Sequence, residues 1–220
     1  MLNNQQIRFC LDTMGEMFPD AHCELTHKNP FELVIAVALS AQCTDALVNK
    51  VTASLFEKYK TPEDYLAVSL EELQNDIRSI GLYRNKAKNI RNLCQMLIED
   101  YGGILPRDRD ELTKFPGVGR KTANVVVSVA FGIPAIAVDT HVERVSKRLG
   151  FCRWKDSVLE VEKTLMKKVP EEEWSATHHR MIFFGRYHCK AQNPQCEICP
   201  LLEVCREGKK RMKGKEKVGQ

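Results

Sequence analysis

Residues Phe115 to Val126 read FPGVGRKTANVV, and this stretch predicts a tight hairpin that opens a helix. The first N–H groups of a helix have no partner within the helix, so they point outward and can hold an anion. A turn made of Gly117, Val118 and Gly119 is therefore a candidate phosphate-binding element. A glycine turn alone is found in many loops, so the residues around it decide its meaning.

A lysine and an aspartate downstream of this turn are candidates for chemistry. Lys121 lies on the first turn of the predicted helix, and Asp139 follows 18 positions later in the segment IAVDTHVERV. The ordinary alternatives are a solvated surface lysine and an aspartate that caps a helix. Thr140 and Glu143 fit the S/T-x-x-E capping pattern, which predicts that Asp139 is not needed as a cap. The pair therefore favours nucleophilic chemistry on a nucleic-acid sugar.

Four cysteines near the C-terminus predict a metal site. The segment GRYHCKAQNPQCEICPLLEVC has the spacing Cys189-x6-Cys196-x2-Cys199-x5-Cys205. Zinc sites usually use two C-x2-C pairs, whereas one central pair with longer arms favours an iron–sulfur cluster held by thiolates. Zinc and a pair of disulfides are the alternatives. Disulfides are disfavoured because the N-terminus lacks the pattern of a signal peptide.

Taken together with LSAQCTD (Leu39 to Asp45) and IGLYRNKA (Ile80 to Ala87), these motifs give the chain a family resemblance. It resembles the endonuclease III family of helix-hairpin-helix DNA glycosylases and abasic-site lyases over nearly its whole length. The resemblance implies an all-α fold of two helical domains with a DNA-binding cleft between them. The expected parts are a six-helix domain at residues 23–134 with its hairpin at about 112–132, an iron–sulfur domain at 1–22 and 135–207, and a disordered basic tail at 208–220.

The resemblance also implies an activity and a set of site residues. The enzyme would remove oxidised pyrimidines from duplex DNA and cleave the abasic strand by β-elimination, with Lys121 as the nucleophile that forms a Schiff base. Asp139 would be its carboxylate partner, and the four cysteines would hold a [4Fe–4S] cluster. The expected DNA contacts are Gln42, Leu82, Gly117, Val118, Gly119, Arg120, Arg186 and Lys190.

Two other functions fit parts of the sequence. A monofunctional adenine glycosylase of the same superfamily would typically lack the lysine and have a further C-terminal domain. A non-catalytic DNA-binding module would use the hairpin and the cluster for recognition alone. Lys121 argues against the first, and the pairing of Lys121 with Asp139 argues against the second.

Composition sets the remaining limits. The chain has 220 residues, of which 43% are apolar, and a net charge of +4. Residues 206–217 contain seven basic and two acidic residues, so the rest of the chain is slightly acidic and any DNA-binding face must be a local patch. Helix signals dominate, for example Asn29-Pro30 before the apolar run FELVIAVALS. The sequence predicts an intracellular protein without a membrane segment, and the resemblance implies a monomeric, cytoplasmic, bacterial-type protein associated with the nucleoid through its double-stranded DNA substrate.

Overall fold

The computed structural model describes residues 1–216, and these residues form helices and no strand. The all-α prediction is confirmed. The helices are α1 Asn4–Met17, α2 Pro30–Ser40, α3 Asp45–Lys58, α4 Pro62–Ala67, α5 Leu70–Asp76, α6 Tyr83–Tyr101, α7 Arg109–Leu112, α8 Arg120–Phe131, α9 Thr140–Leu149, α10 Val158–Lys168, α11 Trp174–Phe183 and α12 Arg206–Glu216. Two 3₁₀ turns, Glu171–Glu173 and Cys196–Ile198, and one π-helical turn, Phe184–His188, complete the regular structure.

Helix α2 is the centre of the first compact unit, residues 24–133. Asn29 caps it by accepting a hydrogen bond from the Glu32 N–H over 2.8 Å, and Pro30 occupies its first turn. Its apolar residues are buried around almost the whole helix, as a sequence without a polar face requires. The unit contains α2 to α8 and so exceeds the expected six helices by α7, a single turn that Asp108 caps.

The second compact unit combines residues 1–23 with the chain from residue 134 onward. Its core joins α1 to α9, α10 and α11 through buried side chains such as Met14, Val142, Leu165 and Met181. The N-terminal helix therefore packs with segments that lie more than a hundred residues later in the chain. The boundaries of this unit lie at residues 23 and 134, and the sequence predicts domain limits at the same two residues.

The predicted disordered tail differs from the structure. Residues 208–216 belong to α12, and residues 217–220 of the predicted tail lie outside the described part of the chain. Local contacts explain the helix: the Gly208 N–H donates to Cys205 Sγ over 3.2 Å, and Arg211 pairs with Glu207 one turn earlier at 2.8 Å. Basic composition alone suggested disorder, but the cysteine loop anchors the first turn.

Within residues 1–216, no helix is both long enough and apolar enough to cross a membrane.

Candidate functional site

The glycine hairpin before α8 has the geometry that the sequence predicts. Gly117 has a φ of +81°, and a methyl group there would lie 3.1 Å from Cβ and Nδ2 of Asn89. Val118 is buried and donates its N–H to the Phe115 carbonyl over 3.0 Å, so it anchors the turn. Its side chain and its N–H are therefore not free to contact DNA. Gly119 is the N-cap of α8 and supplies no side-chain cap. Gly119 therefore offers no side-chain acceptor to the first turn of α8, an arrangement that suits an external anion.

Replacing Gly117 should damage the hairpin, because alanine is strained at this φ and also meets Asn89. We expect Gly117→Ala to lower the free energy of unfolding by about 1–3 kcal/mol. Denaturant unfolding measures this effect. The control is Gly119→Ser, because no atom lies within 4 Å of that position and serine is at least as good an N-cap. Equal unfolding free energies for the two variants would contradict this account of the hairpin.

Lys121 lies exposed on the first turn of α8, next to the exposed Arg120. Both positions agree with the sequence prediction of charged side chains beside an anion-binding turn. Lys121 belongs to the first unit and Asp139 to the second. Their convergence on one sugar is therefore part of the functional proposal below.

Asp139 is the N-cap of α9, which corrects the expectation that it would not be needed as a cap. Its Oδ1 accepts hydrogen bonds from the N–H groups of His141 and Val142, each over 2.8 Å. The predicted Thr140–Glu143 capping box does not form, because α9 already begins at Thr140. Both bonds end on Oδ1, so the capping role does not use Oδ2. The cap holds the carboxylate in one orientation, which leaves a chemical role open.

Gln42 and Leu82 are exposed on adjacent loops in unusual backbone conformations. They have φ values of 56° and 59°, and Leu82 is 58% exposed. A methyl group on Gly81 would lie 3.7 Å from the carbonyl oxygen of Gln42, so the two loops are neighbours. Left-handed conformations are costly for residues other than glycine, and they recur at functional sites. The structure thus brings together two residues that the sequence predicts to touch DNA.

The four predicted cysteine ligands line one pocket, together with apolar side chains that include Leu149, Phe184 and Leu202. The nine cysteines, all within the described residues, form no disulfide, which rules out the disulfide alternative in this structure. Burial raises the pKa of the Cys199 thiol to about 11, and burial also raises the pKa of the Cys205 thiol. The pocket offers four sulfur donors to one group, which is the donor set of an iron–sulfur cluster, and binding would release the thiol protons.

Two arginines of α9 hold the loop that contains the first cysteine. Arg148 Nη1 donates to the Lys190 carbonyl over 2.6 Å and lies 3.4 Å from Cys189 Sγ, and its Nη2 donates to the Ala191 carbonyl over 2.9 Å. Arg144 donates to the carbonyls of Gly185 and Cys189. Neither residue is among those predicted from the sequence. Their signal was a pair of arginines one helical turn apart on a strongly amphipathic helix.

Arg186 and Lys190, the predicted DNA contacts near the cluster loop, differ in exposure. Lys190 is exposed, whereas Arg186 is half-buried and interacts with neighbouring protein groups. The carbonyl of Lys190 is already held by Arg148. The side chain of Lys190, and not its carbonyl, is therefore the group that this loop presents for contact with DNA. A role in DNA contact stays a prediction for both residues.

Loss of Arg148 should weaken the cluster. Arg148→Met leaves the Lys190 and Ala191 carbonyls without their donor and removes the cation beside Cys189. We expect iron to be lost to a chelator about 10–100 times faster, as for other supporting residues of metal sites. The visible absorbance of the cluster follows this loss. The control is Arg153→Met, an exposed arginine just beyond α9, and equal rates for both variants would contradict the prediction.

A helical protein with a glycine hairpin that exposes helix amides and a lysine, and with a four-thiol pocket, belongs to the class of helix-hairpin-helix DNA repair proteins. Residues 35–171 match the family model of the HhH-GPD superfamily base excision DNA repair protein. Residues 189–205 match the iron-sulfur binding domain of endonuclease III. The chain belongs to the endonuclease III family, and its cofactor is a [4Fe–4S] cluster.

Individual relatives agree with this assignment. Endonuclease III of Bacillus subtilis (strain 168) is 80% identical over 213 residues, which cover 97% of each chain. Endonuclease III of Escherichia coli (strain K12) is 47% identical, with 89% of this chain and 92% of that protein covered.

Solved structures show the same similarity. A trapped endonuclease III–DNA covalent intermediate is 81% identical, with a TM-score of 0.95, over 96% of this chain and 100% of that chain. A thermostable thymine-DNA glycosylase is 26% identical, with a TM-score of 0.82, over 94% of this chain and 98% of that chain.

Proposed function

We propose that this enzyme, a base excision repair DNA glycosylase with abasic-site lyase activity, removes oxidised pyrimidines from duplex DNA through Lys121. The observation that carries the proposal is the exposed Lys121 on the first turn of α8, directly after a glycine hairpin without a side-chain cap. The N–H groups of the first turn of a helix suit a DNA phosphate. An amine beside that phosphate is in reach of the sugar that carries the phosphate.

The proposed reaction has two steps at one deoxyribose. The neutral amine of Lys121 attacks C1′, the bond to the damaged base breaks, and the base leaves with a proton. Ring opening gives a Schiff base, which acidifies the C2′ hydrogen. Loss of that proton expels the 3′ phosphate and cleaves the strand. Asp139 stabilises the positive charge that develops on the sugar and moves protons, for which Oδ2 is available beside the capping Oδ1.

Access to the sugar requires the damaged nucleotide to leave the helical stack. Leu82 is an exposed apolar side chain of the kind that inserts between base steps. Gln42 is exposed next to it and offers both a donor and an acceptor to the base left without a partner. The cluster supplies a rigid anchor for its loop when it is bound, and Lys190 on that loop would contact the DNA backbone.

The test uses a duplex that contains an oxidised thymine, and a second duplex with an abasic site. The proposal expects release of the base, strand cleavage with a β-elimination end, and a covalent protein–DNA adduct on addition of borohydride. Base release without an adduct would instead indicate the monofunctional alternative. Binding without either reaction would indicate a DNA-binding module. The proposal places this monomeric enzyme in the cytoplasm, with the nucleoid as the source of its substrate.

A further inference from the structure

Gln42 stands at a strained position of a tight turn. Ala41 has φ −56° and ψ 118°, Gln42 has φ 56°, and the Cys43 N–H donates to the Ser40 carbonyl over 3.0 Å. These features define a type II turn, whose third residue is usually glycine or asparagine. The turn therefore needs support from outside the loop to keep a glutamine there.

A buried lysine supplies that support. Lys86 is 8% exposed, and its Nζ donates to the carbonyls of Ala41 over 2.6 Å and Leu39 over 2.9 Å. The Ala41 carbonyl belongs to the central peptide of the turn. Type I and type II turns differ by a flip of this peptide, which also moves the next residue between negative and positive φ. A donor held on that carbonyl thus keeps Gln42 in the left-handed conformation.

The same lysine reaches the loop that presents Leu82. Its backbone N–H donates to the Leu82 carbonyl over 3.1 Å and forms the first hydrogen bond of α6. Leu82 is the N-cap of that helix and has a φ of 59°. Lys86 is therefore bonded to both loops, through its side chain to one and through its backbone to the other.

We propose that Lys86 is a positioning residue that holds Gln42 and Leu82 in the conformation in which they enter damaged DNA. This inference rests on the proposed function, because it assumes that the two loops act on the duplex. Lys86 itself contacts neither DNA nor the reacting atoms in this account. Its contribution is to keep two strained loops ready before DNA binds, so that binding need not rearrange them.

The first test concerns the free protein. Lys86→Met keeps an unbranched side chain as far as Cε but removes the donor, so the central peptide of the turn can flip and Gln42 can reach a negative φ. Backbone chemical shifts of residue 42 report the sign of φ without any substrate. The control is Lys88→Met, an exposed position on the same helix with the same loss of charge. Thermal unfolding and cluster absorbance establish that both variants are folded.

The second test separates nucleotide extrusion from chemistry. We expect Lys86→Met to lower kcat/KM for release of oxidised thymine from duplex DNA by about 10²-fold, since Gln42 is misplaced while the backbone bond to Leu82 remains. Cleavage at an abasic site, where no base has to leave the stack, should fall much less. The fluorescence of a 2-aminopurine placed opposite a stable abasic analogue reports unstacking of that base. Lys86→Met should cause a smaller rise in this fluorescence than the unaltered protein or Lys88→Met.

The outcomes are distinct. A folded Lys86→Met protein that keeps the positive φ of Gln42, or that loses both activities equally, would overturn the proposal. A negative φ at Gln42, together with a loss of activity on oxidised thymine that is larger than the loss at an abasic site, would support it. Failure of the unaltered protein to react with either duplex would contradict the proposed function instead, and the chemical shifts would still decide whether Lys86 holds the turn.

Discussion

Lys121→Gln should abolish covalent trapping by borohydride and reduce strand cleavage at an abasic site by at least about 10³-fold. The amine is the group that forms the Schiff base, and glutamine cannot replace it. Lys121 is exposed on the first turn of α8, and glutamine is a good helix former, so the helix should persist. Gel analysis of the adduct and single-turnover cleavage measure the loss. Binding to a stable abasic analogue should change far less than cleavage.

The matched control for this result is Lys114→Gln. Lys114 is exposed in the same unit and forms an ion pair with Glu111 at 2.6 Å, an interaction of small worth at a solvated surface. The control removes the same charge, close in sequence to the hairpin. An adduct that survives in Lys121→Gln would show that another amine is the nucleophile. An equal loss in Lys114→Gln would show that charge, and not the amine, determines the activity.

Much of the fold follows from local signals in the sequence. Asn29 and Pro30 define where α2 begins, and its unbroken apolar run predicts burial on all sides, which the structure confirms. Composition failed at the C-terminal tail, where a specific local contact begins a helix. The start of α12 depends on the hydrogen bond from Gly208 to Cys205 Sγ, which composition does not reveal.

The site was predictable where residue type and spacing define the chemistry. The hairpin and the four cysteines of one pocket are examples. The cap of α9 was not, because Asp139 and Thr140 are both good N-cap residues and lie next to each other. The positive φ of Gln42 was not either, since it depends on Lys86, 44 positions away. A lysine within the apolar face of α6 was the available signal.

Asp139→Asn should separate the two roles of this residue. Asparagine caps a helix about as well as aspartate, so the bonds from the His141 and Val142 N–H groups should remain. The loss of charge near the helix N-terminus should change the free energy of unfolding by less than about 1 kcal/mol. The activity should nevertheless fall by about 10²–10⁴-fold, because the carboxylate no longer stabilises the charged sugar or moves protons. Single-turnover base release and denaturant unfolding measure the two effects.

Two further variants make this separation decisive. Asp139→Ala should lose activity to a similar extent but also destabilise the protein by about 1–2 kcal/mol, because the cap is lost. Asp108→Asn is the matched control, since Asp108 Oδ1 accepts from two consecutive backbone N–H groups at the start of α7 in the same way. That variant should keep full activity. If Asp139→Asn also kept full activity, Asp139 would be a cap alone, and the positive charge on the sugar would have to be stabilised by another group.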